Sequence, residues 1–355
     1  MAVENQDRFS PLVDAKLRYS IVQKSGVIWN TKFEGSPTAG AVKVPVRDTE
    51  AVVGAYNKVS GINATAAAGS FLNVPVDKDY AVNEILDGFD AAAVPDNIVA
   101  DRLDSAGYSM ALQMNADATA ELLKGQTVNT ASAITKSAIY EKFVDIRTQM
   151  TKSKIPVLGR FALINPDFLG ILLKSPEFIS ASNLGDEVKK TGAIGQIAGF
   201  TCYEDATLPG NVSAICGHPD WCCRVEEWQV PVHIQDLSSS GKYIGASAVQ
   251  GRKVYAHKVT KPETVKIISK VLDPTIEEAT AGGTTTITIT VGTNGTGAKY
   301  RKGTVGAGGA VTWGDWTAYN GSSKPTAAAT DIIEAYSIDD EGVVSGTVSH
   351  TVTAS

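Results

Sequence analysis

The sequence has only four cysteines and four histidines in 355 residues, and neither type falls into a familiar metal-binding pattern. All four cysteines (Cys202, Cys216, Cys222, Cys223) lie in one short region near His218. Structural zinc usually requires two ligand pairs with CxxC-like or HxxxH-like spacing, whereas Cys222 and Cys223 are adjacent and would point to opposite faces of an extended chain. We therefore expect no metal site and interpret the cysteines as free thiols in a reducing compartment, with zinc as the alternative.

Recognisable catalytic motifs are also missing. The sequence contains no GxSxG, no HExxH and no P-loop, and the four histidines (His218, His233, His257, His350) are scattered. We therefore expect neither an enzyme nor a bound cofactor.

Long apolar runs are absent as well. No run approaches the roughly 20 residues that span a bilayer, and the start "MAVENQDRF" lacks the positive n-region and apolar core of a signal peptide. The expectation is a protein that is made in the cytoplasm and does not enter a membrane.

Positive charge is scarce in the last part of the chain. Residues 271–355 carry nine acidic and four basic residues, a net charge of −5, which leaves −1 of the total −6 for residues 1–270. Such a balance does not fit a protein that grips nucleic acid by counterion release. The composition also changes near residue 271, where "LDPTIEEATAGG" brings a proline and paired glycines, so we place a domain boundary there.

One glycine-containing stretch, "GAIGQIAGFTCYE", could be confused with a phosphate-binding loop. Its glycines, Gly192, Gly195 and Gly199, follow the spacing GxxGxxxG rather than GxGxxG or GxxxxGK[ST]. The residues that follow favour a strand rather than a helix. We interpret the stretch as a turn leading into a strand, with glycines where backbones pass closely, and keep a phosphate loop as the alternative.

The chain before residue 271 shows a definite order of elements. Residues 41–46 and 70–85 are predicted as strands of a long hairpin with too little apolar surface to be stable alone. Residues 96–125 have the apolar spacing of one long helix, and a second helix carries a stripe of Ile139, Phe143, Ile146 and Met150. A buried strand over 161–164 then leads through the capping residue Asn165 into a short helix that begins at Pro166.

The chain from residue 271 onward alternates as half-buried strands do. In "TTTITITV", Ile287, Ile289 and Val291 share one face, and two further strand-like runs surround an Asp-Asp-Glu-Gly turn. The pattern predicts a β-sandwich and resembles the bacterial immunoglobulin-like modules that end many surface and virion proteins. Three aromatic residues of this part, Trp313, Trp316 and Tyr319, are expected to pack in or over its core, with a sugar-stacking platform as the alternative.

The order of elements, together with "RFALINPDFLGILLKSPEF" and "GAIGQIAGFTCYEDATLP", resembles the major capsid proteins of tailed double-stranded DNA bacteriophages. The resemblance implies an α+β capsid shell domain over residues 1–270, followed by an all-β immunoglobulin-like sandwich over residues 271–355. Within the shell domain it implies an N-terminal arm (1–40), an extended hairpin loop (41–85), a peripheral domain (86–155) with a spine helix (96–125), and a mainly axial domain with return strands (156–270).

The resemblance also implies a function. It is that of a structural protein that self-assembles into hexamers and pentamers of an icosahedral phage head, encloses double-stranded DNA without reading its sequence, and resides in the virion after assembly in the host cytoplasm. Partners would be a separate scaffolding protein, a portal and decoration proteins. Some relatives cross-link through a loop lysine and an asparagine. Lys58 is the only lysine of residues 48–69, but the sequence identifies no partner asparagine, so we assign it no cross-linking role. The alternative is an encapsulin-like protein shell of a bacterial nanocompartment.

Overall fold

The structure is a computed structural model of the whole chain. It describes residues 23, 26–32, 41–46, 53–59, 61–62, 70–89, 98–128, 133–175, 195–238, 241–281, 284–306 and 309–353. Most of the expected N-terminal arm, Gly192 and the expected start of the spine helix at residue 96 lie outside the described residues.

The described strands and helices follow one another along the chain as β1 (Ala41–Val46), β2 (Ser70–Pro75), β3 (Lys78–Leu86), α1 (Ile98–Leu122), β4 (Gln126–Thr127), α2 (Ile139–Lys152), β5 (Phe161–Ile164), α3 (Pro166–Leu173), β6 (Gln196–Ile197), β7 (Phe200–Glu204), β8 (Val212–Gly217), β9 (Cys222–Asp236), β10 (Ser247–Val259), β11 (Lys266–Ser269), β12 (Thr275–Ala281), β13 (Thr284–Thr290), β14 (Gly297–Val305), β15 (Val311–Trp313), β16 (Thr317–Ala318), β17 (Thr326–Ala327), β18 (Ile332–Ile338) and β19 (Val348–Thr351). None of the described helices is both long and apolar enough to cross a bilayer.

The chain forms two compact units. The described part of one draws on Trp29–Asp117 and Cys222–Thr260, and that of the other on Val22–Ile28, Ala118–Trp221 and Lys261–Ser355.

The first unit is built on an antiparallel sheet with the strand order β3-β10-β9. Helix α1 lies on this sheet: Arg102 forms an ion pair with Glu84 of β3, and the Tyr255 hydroxyl of β10 donates a 2.7 Å hydrogen bond to Asp117. At about 1.5 Å per residue, the 25 residues of α1 span about 37 Å.

The hairpin of β1 and β2 is confirmed, but its second strand is shorter than predicted. The antiparallel register sets Val42 opposite Val74 and Val44 opposite Leu72. The predicted strand over 70–85 is wrong as a single element, because β3 leaves the hairpin and pairs with β10 instead. The apolar face of the hairpin packs on Cys223, Val225 and Ala256 of β9 and β10, so its base is buried within the chain.

The second unit contains a six-stranded mixed sheet with the order β4-β11-β8-β5-β7-β6. Helices α2 and α3 contribute to its core, and the predicted stripe of α2 is confirmed, since Ile139, Phe143, Ile146 and Met150 are fully buried. The cap of α3 is confirmed too: the Asn165 side chain accepts a 3.0 Å hydrogen bond from the Asp167 amide, which satisfies one of the free donors at the helix start.

The end of α1 differs from the prediction. Helix α1 ends at Leu122, before the expected end at Gly125. Gly125 is required by a close approach rather than by a helix cap, because a Cβ there would lie 2.8 Å from the Val265 carbonyl oxygen.

The part of the chain from residue 271 onward forms two antiparallel sheets that share one core. One sheet has the order β12-β13-β17, and the other has the order β15-β14-β18-β19 with β16 beside β14. The predicted face of β13 is buried: Ile287 and Ile289 pack with Ala298, Ile333 and Ala335 of the second sheet. The alternation of threonine and isoleucine in β13 thus separates a solvent face from a core face.

Candidate assembly surfaces

The tip of the hairpin presents apolar side chains to solvent. Gly61 donates its amide to the Asn57 carbonyl at 2.8 Å, and the Asn57 side chain accepts the Val59 amide at 2.8 Å, so these hydrogen bonds bring Asn57, Val59 and Gly61 together in a turn. Val59 is 97% exposed at this turn, and Val53 and Tyr56 are exposed beside it. Lys58 is exposed in the same turn. These side chains add almost nothing to the stability of a single subunit, which makes the tip a candidate contact with another molecule.

The outer face of the hairpin continues this surface. Phe71 of β2 is 70% exposed, on the face opposite Leu72 and Val74. Because successive side chains of a strand alternate between faces, packing Val74 inward forces Phe71 outward. The hairpin is therefore anchored by one face and free on the other.

Part of the expected arm is anchored on β9. The Asn30 amide donates to the Cys222 carbonyl at 2.8 Å, and the Arg224 amide donates to the Asn30 carbonyl at 2.9 Å. The Trp29 ring packs edge-on against His257, with 4.7 Å between ring centroids. Backbone hydrogen bonds of Asn30 and the buried Trp29 indole therefore hold this segment of the arm against β9 and β10.

A buried charged group lies under Trp29. Arg224 donates its Nε to His257 Nε2 at 2.8 Å, and its guanidinium lies 5.9 Å from the Trp29 ring centre. Burial, reinforced by the positive charges of Arg224, Lys253 and Lys78, lowers the pKa of His257 to about 3. Burial also lowers the pKa of Arg224 and raises that of Tyr255. His257 is therefore neutral at pH 7 and serves as an acceptor that holds Arg224.

The glycine stretch is a tight turn between two strands. Ala198 (φ +47°) and Gly199 (φ +86°) connect β6 to β7, and Ile197 pairs with Phe200 across the turn. Two successive positive φ values define the hairpin turn that favours glycine at its second position. The predicted turn into a strand is confirmed. The prediction of close backbone contact is wrong for Gly195 and Gly199, since no backbone atom lies within 4 Å of a Cβ built at either.

The cysteines lie in surroundings that disfavour thiolates. Burial raises the pKa of Cys202 to about 12 and that of Cys223 to about 11, and it raises the pKa of Cys216 further. Zinc ligation and nucleophilic attack both require the thiolate. Among the described residues, no three or more histidine, cysteine, aspartate or glutamate side chains are grouped to hold a metal ion.

His218, the histidine nearest these cysteines in sequence, has both ring nitrogens in use. Its Nε2 donates to the Leu158 carbonyl at 2.9 Å, and its Nδ1 accepts the Asp220 amide at 3.2 Å. The ring therefore fixes the loop before β5 instead of facing a metal. Nothing in the sequence indicated this contact, because 60 residues separate the partners.

The exposed aromatic residues of the C-terminal sheets are arranged around an arginine. The Arg301 guanidinium lies 4.5 Å from the Trp313 ring centre and 4.7 Å from that of Trp316, and Arg301 is paired with Glu334. Tyr319 packs against the core, as expected, whereas Trp313 and Trp316 are 36% and 37% exposed. One face of each indole is thus occupied by the cation, which leaves less aromatic surface for stacking a sugar.

Comparison with known proteins gives a consistent result. A family model described as phage capsid protein matches residues 85–268. Among solved structures, a chain of Mycobacterium phage Che8 has a TM-score of 0.62 at 16% identity, covering 76% of this chain and 99% of that one. The capsid of Cyanophage P-SCSP1u gives 0.64 at 11% identity, covering 74% and 92%. The mature capsid of bacteriophage PhiM1 gives 0.58 at 13% identity, covering 75% and 91%. The comparison with curated proteins gives no match.

Proposed function

Since the chain belongs to the phage capsid protein family and is a structural major capsid protein of the virion, we propose that its copies form the hexamers and pentamers of an icosahedral head that encloses double-stranded DNA. The family match over residues 85–268 carries the proposal, because it includes α1 to α3 and the strands from β4 to β10, with the glycine turn between β6 and β7. The family is not an enzyme family, in keeping with the absence of catalytic motifs in the sequence.

The exposed hairpin supports this mode of assembly. A single subunit leaves Val53, Tyr56, Val59 and Phe71 in water, and burying each large apolar side chain contributes roughly 1.5–3 kcal/mol. We propose that a neighbouring subunit covers this surface. Weak contacts of this kind add up when every subunit of a closed shell repeats them.

Membership of the phage capsid protein family also underlies the proposed division into domains. We propose residues 1–270 as the shell domain, with an arm, an extended loop, a peripheral domain and an axial domain, and residues 271–355 as an added immunoglobulin-like sandwich. The shared core of the two C-terminal sheets supports the sandwich. Its net charge of −5 favours a position on the outer surface, away from packaged DNA.

Partners and place of assembly belong to the same proposal. We propose a separate scaffolding protein, a portal and decoration proteins as partners, with assembly in the host cytoplasm. The near-neutral charge of residues 1–270 is consistent with a shell that encloses DNA without sequence-specific binding.

Electron microscopy of the purified protein, expressed with and without the other head proteins of its phage, tests the proposal. Icosahedral particles with resolved hexamers and pentamers are the expected result. Particles isolated from infected cells should contain DNA and carry tails, whereas an encapsulin-like shell would contain protein and no tail. A chain that stays monomeric under all these conditions would contradict the proposal.

A further inference from the structure

The loop between α2 and β5 exposes two apolar side chains although both of its ends are buried. In the sequence "IPVLGR", Ile155 and Arg160 are buried, whereas the four residues between them are exposed. Leu158 is 86% exposed and Val157 is 41% exposed. We call residues 155–160 the apolar knob.

Buried side chains hold the backbone of the knob in place. Arg160 donates its Nε to the Pro156 carbonyl and its Nη2 to the Ile155 carbonyl, both at 2.7 Å. His218 donates to the Leu158 carbonyl at 2.9 Å. Three of the six carbonyl groups of the knob are therefore bound by buried donors, and the loop cannot shift without breaking these hydrogen bonds.

The same arginine joins the knob to the end of α2. Its Nη1 reaches the Arg147 carbonyl at 3.3 Å, and its Nη2 reaches the Thr151 hydroxyl at 3.2 Å. Both oxygens belong to the last turns of α2, where the helix dipole favours a positive charge. Burial, together with the positive charge of Arg147, lowers the pKa of Arg160, because desolvation disfavours the charged guanidinium.

Backbone strain adds to this arrangement. Gly159 has φ +83°, a conformation that favours glycine, and Lys154 just before the knob has φ +60°. A loop that only joined α2 to β5 would need neither the buried guanidinium of Arg160 nor the exposed side chain of Leu158. Single exposed leucines are common on protein surfaces, but here the leucine is fixed by a buried network, which is the arrangement of a preorganised contact.

We propose that the apolar knob, through Val157 and Leu158, contacts a second copy of this chain during shell assembly. The inference rests on the proposed function and deepens it, because it names a contact in addition to the hairpin. A second copy is the occupant that the family assignment supplies, since every subunit of a shell is surrounded by copies of itself. The knob also joins β7 directly, because the Thr201 amide donates a 2.9 Å hydrogen bond to the Arg160 carbonyl. Preorganisation matters for so small a contact, because a fixed loop loses little conformational entropy on binding.

The test replaces Leu158 in the full-length chain. L158E and L158S should fold as the wild type does, because the side chain is 86% exposed, and should melt within about 2 °C of unassembled wild-type subunits. Both should reduce the yield of closed particles at least about tenfold, as the loss of roughly 1.4 kcal/mol per contact would do. Two control variants, L158M, which keeps an apolar side chain, and Q149E, which adds the same charge on the exposed side of α2, should assemble as the wild type does.

Light scattering and electron microscopy of all five proteins separate the outcomes. Closed particles from the wild type, L158M and Q149E but not from L158E and L158S support the inference. Wild-type yields from L158E and L158S overturn the inference alone and leave the proposed function intact. A wild-type chain that forms no particles overturns the proposed function, and the inference with it.

Discussion

The Asn211 side chain donates a 2.8 Å hydrogen bond from its Nδ2 to the Oδ2 of Asp339, across 128 residues of sequence. Asn211 precedes β8 of the six-stranded sheet, and Asp339 follows β18 near the end of the chain. Two further hydrogen bonds join these two regions through Lys270, and we call the group Asn211, Lys270, Asn294 and Asp339 the seam. Lys270 donates its amide to the Asn211 carbonyl at 2.7 Å, and the Asn294 side chain donates to the Lys270 carbonyl at 3.0 Å. The composition break at residue 271 is thus bridged by hydrogen bonds.

The first prediction concerns this seam. Asn211→Ala should lower the free energy of unfolding by about 1.5–3 kcal/mol, because the buried carboxylate of Asp339 loses a hydrogen bond. Urea denaturation at pH 7 would measure the change. Asp340→Asn alters the neighbouring exposed carboxylate and should change little. Equal stabilities of N211A and the wild type would show that the seam contributes nothing.

Ending the chain at residue 270 should leave a folded body that still assembles. The seam groups that lose their partners, the Asn211 side chain and the Lys270 carbonyl, become accessible to water, so the expected loss of stability is modest. Particle formation by residues 1–270, compared with the full chain by electron microscopy, tests this. If only the full chain forms shells, the C-terminal sheets are part of the shell wall.

Deleting residues 50–68 and joining the ends with a short glycine-containing turn should leave a folded subunit that forms no closed shells. Val44 and Val74 keep their contacts with β9 and β10 in this variant, so the anchored base of the hairpin remains. Circular dichroism and light scattering would follow folding and assembly. A matched variant, Val59→Ile, keeps an apolar tip and should assemble. Closed shells from the deleted protein would show that the tip makes no necessary contact.

His257 should make the stability of the subunit depend on pH. Its pKa is about 3 in the folded chain and 6.5 ordinarily, so between these values the unfolded chain binds the extra proton. The stability that depends on a neutral His257 is therefore fully present above about pH 6.5 and is lost progressively as the pH falls towards 3. Between pH 7 and pH 5 the loss is about 2 kcal/mol, at about 1.36 kcal/mol per unit.

Urea denaturation at both pH values would measure this loss. His257→Gln keeps an acceptor for Arg224 and should remove this part of the pH dependence. The control His233→Gln alters an exposed ring and should leave the dependence unchanged. If H257Q and the wild type lose the same stability between pH 7 and pH 5, His257 is not the group responsible.

Replacing Arg160 should destabilise the second unit. Arg160→Lys offers one compact ammonium where the guanidinium spans oxygens of Arg147, Thr151, Ile155 and Pro156, so several buried acceptors lose their donor. The expected loss in the free energy of unfolding is about 2–4 kcal/mol. Thermal unfolding would report it, with Arg147→Lys at an exposed position as the control. Unchanged stability of R160K would show that these bonds are replaced by water.

Local patterns in the sequence determined the elements and much of the family resemblance. The spacing of Ile139, Phe143, Ile146 and Met150 predicted α2, and the alternation of Ile287 and Ile289 predicted β13, because helix and strand periods fix which side chains share a face. Asn165 followed by Pro166 predicted the start of α3, since capping depends on neighbouring residues alone.

Only the tertiary structure decided which elements meet. Strand β3 follows the hairpin directly but pairs with β10, which lies far along the chain, and no local signal distinguishes these partners. In the same way, Arg160 precedes an apolar strand as an ordinary charged residue, and its burial depends on carbonyls that the end of α2 and the knob bring together. Periodicity is a property of consecutive residues, whereas strand pairing and the solvation of a buried charge depend on groups that are distant in sequence and meet only when the chain has folded.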